Sequence, residues 1–188
     1  MNLNEDIKES LEVLKRGGLI LYPTDTVWGI GCDATNYEAV QKIFELKQRE
    51  DSKTMICLVH DFEMLNRHVE EVPGVAKNIL TLSQKPTTII YDRPKHVAEN
   101  LIASDNTLAI RLVQHHFCES VIKRFKKPIV STSANRSGQP TPKTFQEIET
   151  EILKGVDYVV NLGRDQKAAN PSSIIKLSND GAVKVIRQ

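Results

Sequence analysis

The stretch "TLAIRLVQHHFCESVIKRFKKPIVST", Thr107 to Thr132, reads as a strand, a helix and a second strand. Strand alternation sets Leu108, Ile110 and Leu112 on one face, and Ala109, Arg111 and Val113 on the other. His116 to Phe125 has helical character, and "PIVST" returns to a β-branched run. The same alternation extends in both directions. On the N-terminal side, Ile7, Leu11 and Leu14 recur at helical spacing, and Gly17-Gly18 supplies a stop. "LILY" (Leu19 to Tyr22) is a buried strand ended by Pro23. Asn36 caps a helix whose apolar stripe is Val40, Ile43 and Phe44, continued by Lys47. "TMICLV" (Thr54 to Val59) and "TTIIY" (Thr87 to Tyr91) are strands, and Pro73 opens a helix through Leu82. On the C-terminal side, "TFQEIETEIL" (Thr144 to Leu153) reads as a helix, and "DYVVNL", "SSIIKL" and "VKVI" as strands. Short apolar runs alternating with helices predict an α/β fold. The closing run of strands predicts a mixed sheet.

At 188 residues the chain is long enough for one domain, residues 1–188, with a real core. Hydrophobic content of 40% and charged content of 26% fit a soluble globular protein. A formal net charge of +1 makes no bulk electrostatic case for nucleic acid. No apolar run approaches the roughly 20 residues of a membrane span, and "MNLNEDIKES" is unlike a signal peptide. Cys32, Cys57 and Cys118 are far apart and lack metal or redox spacing. We read them as reduced thiols in a cytoplasmic protein.

Several motifs carry chemistry. "YPTDTVWGIGCDA" (Tyr22 to Ala34) holds Gly29-x-Gly31-x-x-Ala34 after a strand, with Asp51 further on. A dinucleotide fingerprint is rejected, because Pro23 ends the strand too early and Asp51 precedes the next strand. Two readings of the segment remain: a loop whose Thr24 and Thr26 line a cleft, or a turn in which Thr and Asp bond their own backbone. Lys47 continues an apolar stripe, so it either snorkels outward or reaches a polar cavity. Arg49 follows it; the pair serves the helix C-terminal dipole or an anionic ligand such as a triphosphate. No GxxxxGK[ST] is present, so any nucleotide site is not a P-loop. Ser131, Ser133 and Asn135 form either a polar turn or part of a nucleotide pocket. Arg111, inside an apolar strand, needs an anionic partner, internal or bound. No cluster of ligands at metal spacing is evident, so no protein-built metal site is expected.

Together, "PTDTVWGIGCDA", "KIFELKQR", "LAIR", "VSTSAN", "NPSSII" and an arginine after a short terminal strand resemble the YrdC-like family of threonylcarbamoyl-AMP synthases. The resemblance spans nearly the whole chain. It implies a twisted mixed sheet with flanking helices and a concave, positively lined cleft. It also implies a nucleotidyltransferase that joins L-threonine, bicarbonate and ATP, with Mg2+ on the phosphates, into threonylcarbamoyl-adenylate and diphosphate. Partner proteins would use the product to modify tRNA. Carried onto this chain, Thr24, Arg111, Ser131 and Ser172 would hold L-threonine. Lys47 and Arg49 would neutralise the phosphates. Thr107, Ser133, Asn135, Thr141 and Arg187 would surround the nucleotide. The chain departs from the family at Glu50, where proline is usual, at "SKTMI", and at "SQKP" (Ser83 to Pro86), which replaces a Trp-Pro-Gly-Pro turn. Two alternatives stay open. One is a protein that binds double-stranded RNA or tRNA, using the run Lys123, Arg124, Lys126 and Lys127. The other is a YrdC-like paralogue with a different acceptor.

Overall fold

The structure is a computed structural model that describes residues 2–48 and 55–188. Helix α1 (Leu3–Lys15) starts at a capping box in which Asn2 and Glu5 exchange side-chain-to-backbone hydrogen bonds. It ends where Gly17 takes a φ of +72°, its N–H bonding Leu14 O while Gly18 N–H bonds Val13 O. The glycine pair therefore stops the helix as its sequence suggests. Helix α2 (Tyr37–Lys47) is capped by Asn36, whose Oδ1 accepts from Ala39 N–H at 3.0 Å. Its Val40, Ile43, Phe44 and Lys47 are all buried.

The remaining helices are α3 (Phe62–His68), α4 (Gly74–Leu82), α5 (His116–Phe125) and α6 (Thr150–Gly155). The strands are β1 (Ile20–Tyr22), β2 (Gly29–Gly31), β3 (Ile56–Val59), β4 (Thr87–Asp92), β5 (Thr107–Leu112), β6 (Ile129–Ser133), β7 (Tyr158–Val159), β8 (Ser173–Leu177) and β9 (Val183–Arg187). Their order is β7-β1-β2-β6-β3-β5-β4-β8-β9 in one nine-stranded mixed sheet. Strands β3 and β5 run parallel, as do β4 and β8, and β1 and β7, whereas β6 is antiparallel to both its neighbours. The α/β class and the mixed sheet are as the sequence predicts. Leu108 and Ile110 are buried in the apolar core, with Ile129 and Val130 of β6 and the inner faces of α2 and α5.

The structure differs from the sequence reading in particular places. Phe145–Glu147 is one 3-10 turn, and α6 begins only at Thr150, so residues 144–153 are not one helix. Ile148 is extended between them and buried, and the Glu149 carboxylate meets Arg136 Nε at 2.7 Å. Helix α3, capped by Asp61 through Met64 N–H, lies where the sequence reading assigns nothing. Strand β2 lies where the sequence suggests a loop. A Cβ on Gly31 would sit 2.5 Å from Val130 O and 2.7 Å from Tyr22 Cε1. Its glycines thus allow β1 and β6 to close around the Tyr22 ring, whose hydroxyl donates to Val130 O.

Candidate active site

One face of the sheet opens into a cleft of about 320 Å3. Register explains which side chains reach it. Ser131, Ile56, Ala109 and Ile90 stand opposite one another across β6, β3, β5 and β4. One step along, Arg111, Thr88, Ile174 and Arg187 form a second row across β5, β4, β8 and β9. Of these rows, all but Thr88 line the cleft, together with Thr26, Val27, Met55, Ser133, Thr141 and Ser172. Alternation puts Arg111 here because Leu108 and Ile110 are committed to the core.

Among the residues singled out from sequence, the cleft brings together Arg111, Ser131, Ser133, Thr141, Ser172 and Arg187. Ser172 Oγ shares a hydrogen bond of 2.8 Å with Thr88 Oγ1. Arg187 donates from Nε and Nη2 to Ser172 O at 3.0 and 2.8 Å, which ties the last strand to the segment entering β8. Thr24 lines an adjoining pocket of about 180 Å3 that shares Thr26 and Val27 with the cleft. Its Oγ1 donates to Val27 O and accepts from Thr26 N–H, so the turn reading of this segment also holds. Thr107 is not a lining residue; its hydroxyl donates to Asp105 Oδ1 at 2.6 Å. Asn135 lies at the turn after β6, with Nδ2 donating to Arg136 O and Gln139 O. Its Oδ1 is enclosed, with no hydrogen-bond partner among the described residues.

Lys47 is fully enclosed, and its ammonium donates to Ser133 O and Asn135 O. A further bond joins Ser137 N–H to Lys47 O. The end of α2 therefore clasps the turn that follows β6. This answers the alternative posed by the apolar stripe: Lys47 does not snorkel outward but reaches a polar spot inside. Arg49 lies outside the described residues.

The partner of Arg111 was not legible. Asp25 Oδ1 stands 3.0 Å from Arg111 Nη2, both side chains being nearly inaccessible. Asp25 lies between two threonines that drew attention as hydroxyls, and nothing in its spacing links it to position 111. Burial lowers the His115 pKa from its usual value and raises the Tyr22 hydroxyl and Cys118 thiol. Burial pushes the Cys57 thiol to about 12. All three cysteines are unpaired and buried. Among the described residues no group of three His, Cys, Asp or Glu side chains could hold a metal ion, and no helix is long and apolar enough to cross a membrane. In the basic run, Lys127 is engaged by Asp33 at 2.6 Å and stands over the Phe125 ring.

A family model named Sua5/YciO/YrdC and described as "Telomere recombination" matches residues 12–188. The chain belongs to this family. Within the Sua5/YciO/YrdC family, a threonylcarbamoyl-AMP synthase of Shigella boydii serotype 4 (strain Sb227) is 32% identical over 177 residues, 92% of this chain and 92% of the relative. A Sua5 structure from P. abyssi superposes with a TM-score of 0.88 at 24% identity, over 100% of this chain and 57% of that one. A second P. abyssi Sua5 structure, complexed with L-threonine, gives 0.78 at 24% identity, over 91% of this chain and 50% of that one. At these identities the two superpositions speak for the fold. This chain spans about half the length of those Sua5 chains.

Proposed function

We propose that this protein is a nucleotidyltransferase that makes L-threonylcarbamoyl-adenylate from L-threonine, bicarbonate and ATP, acting as one domain over residues 1–188. The observation that carries the reading is the cross-strand row that holds Arg111 and Arg187 on one cleft wall. They are three strand spacings apart, roughly 14 Å. That span suits a ligand with a carboxylate at one end and a nucleotide at the other. The names of the family relatives support it.

In this mechanism the threonine amine and bicarbonate condense to a carbamate and water. A carbamate oxygen then attacks the α-phosphorus of ATP. The bond from that phosphorus to the bridging oxygen breaks, and diphosphate leaves. The protein's task is positioning and charge neutralisation, with little acid–base work. Arg111 takes the threonine carboxylate, and Ser131 and Ser172 fix its place, with Thr24 beside them. Ser133, Asn135, Thr141 and Arg187 hold the nucleotide, and Thr107 supports the β5 end of that wall. Lys47 is enclosed and does not line the cleft, so its charge acts from beneath the turn that holds Ser133 and Asn135, and Arg49 is assigned the direct contact with the phosphates. Magnesium would come with ATP as its counter-ion and would offset part of the phosphate charge. The adenylate passes to proteins that modify tRNA. Three unpaired cysteines fit the reducing cytoplasm.

The test is diphosphate release from ATP and magnesium, with L-threonine or bicarbonate omitted in turn and Arg111→Gln as control. Release that needs both substrates and is lost in the variant is the expected result. Release indifferent to threonine would reject this reading and favour a different acceptor. Absence of ATP binding together with salt-sensitive RNA binding would replace it with the RNA-binding reading.

A further inference from the structure

Arg111 is a buried cation whose charge is matched while its hydrogen-bonding capacity is not. Asp25 Oδ1 lies 3.0 Å from Arg111 Nη2, close enough for a strong charge interaction. The contact lacks hydrogen-bond alignment, since Asp25 Oδ1 has no hydrogen-bond partner among the described residues. Arg111 Nε likewise has none. Asp25 is itself fixed by the backbone, because its Oδ2 accepts from Gln114 N–H at 3.3 Å. A structural ion pair normally fills the arginine fork with a bidentate carboxylate. Here the carboxylate offsets the charge and leaves donors over, on a residue that lines the cleft.

The consequence concerns selectivity. An isolated buried arginine attracts any oxyanion, and phosphates most, because they carry more charge. With Asp25 beside it, the floor of the cleft has no net charge from this pair. A monocarboxylate still gains hydrogen bonds from the part of the guanidinium that faces the cleft, whereas Nε is enclosed. A phosphate or diphosphate gains the same bonds, but its larger charge meets proportionally more repulsion from the Asp25 carboxylate than a monocarboxylate does, and this repulsion is little screened at a buried pair. The reaction makes this distinction matter, since a triphosphate and its diphosphate product share the cleft with an amino acid.

We infer that Asp25 is a specificity-determining residue that reserves Arg111 for a carboxylate and keeps phosphate groups off it. The inference rests on the proposed reading for the identity of the carboxylate, but not for its test.

Acetate and orthophosphate are the probes, titrated into the whole protein without ATP and followed by NMR, with Arg111→Gln identifying the binding that occurs at this site. In the unaltered protein, acetate binding depends on Arg111 and orthophosphate binding does not. In Asp25→Asn, orthophosphate acquires Arg111-dependent binding, tighter by about tenfold, while Asp25→Glu keeps the original preference. Arg111-dependent orthophosphate binding as strong as that of acetate in the unaltered protein would overturn the inference, and that arm needs no Asp25 variant to fold. A folded Asp25→Asn protein with unchanged orthophosphate affinity would also overturn it. L-Threonine is titrated in parallel. Failure of threonine to bind while acetate and orthophosphate behave as stated would count against the proposed reaction and leave the role of Asp25 standing.

Discussion

The β6 wall of the cleft and the β8–β9 wall present similar hydroxyls on different foundations. Strand β6 lies in the middle of the sheet, antiparallel to β2 and β3, with Ile129 and Val130 fully buried ahead of Ser131 and Ser133 along the strand. Its outgoing turn is clasped by Lys47. Strand β9 is the sheet edge, and all of its residues are exposed, Val185 by 54%. That edge is fastened by Arg187 to Ser172 O and by Ser172 to Thr88. The difference separates stability from recognition. On the central wall the groups that shape the site also hold the protein together. On the edge wall they are set locally, so altering them changes binding more than folding.

This contrast can be broken by experiment. Lys47→Met keeps the bulk but strips two buried carbonyls of a charged donor, and unfolding in urea should show a loss of about 3 kcal/mol. A loss that small surface substitutions also produce would place Lys47 outside the foundation. Gly31→Ala comes next. Its Cβ would collide with Val130 O and the Tyr22 ring, costing about 2 kcal/mol by the same measurement. Arg187→Gln tests the edge. Its stability should change by less than about 1 kcal/mol, while nucleotide affinity by calorimetry falls about tenfold. Equal losses in both would erase the distinction between the walls.

The smallest effect is one of pH. Burial holds His115 and His68 below the ordinary histidine pKa. The folded protein therefore binds fewer protons than the unfolded chain, and their contribution to stability is lost as pH falls below about 6.5. The urea midpoint should drop between about pH 7.5 and about pH 5.5, and His115→Gln should flatten part of that slope.

Much of this organisation was legible in the sequence because local rules decided it. Asn36 as a cap, Gly17 as a stop and the two faces of "TLAIRL" each depend on residues within a few positions. Strand β2 was not legible, since its glycines answer to a tyrosine ring and a carbonyl on other strands. The break at Ile148 and Glu149 depends on a core position and on Arg136. The site divides in the same way. Arg111 declared itself as a charge in an apolar strand, whereas the identity of its partner Asp25 is a fact of tertiary structure alone.

The order of strands also governs how the molecule comes into being. Leu19 N–H at the start of β1 bonds Asp157 Oδ2, 138 residues away, and β1 pairs with β7 beside it. Strand β4 waits for β8, and β6 inserts between β2 and β3. The ladders β1–β2, β4–β5 and β8–β9 close between strands adjacent in sequence, but the others join distant stretches, and folds that depend on such non-local pairing form over roughly milliseconds to seconds. Until β8 and β9 dock, the flank of β4 is an open edge able to accept a strand from another molecule. The feature that divides the cleft between two walls thus also sets when the growing chain is most exposed to misassembly.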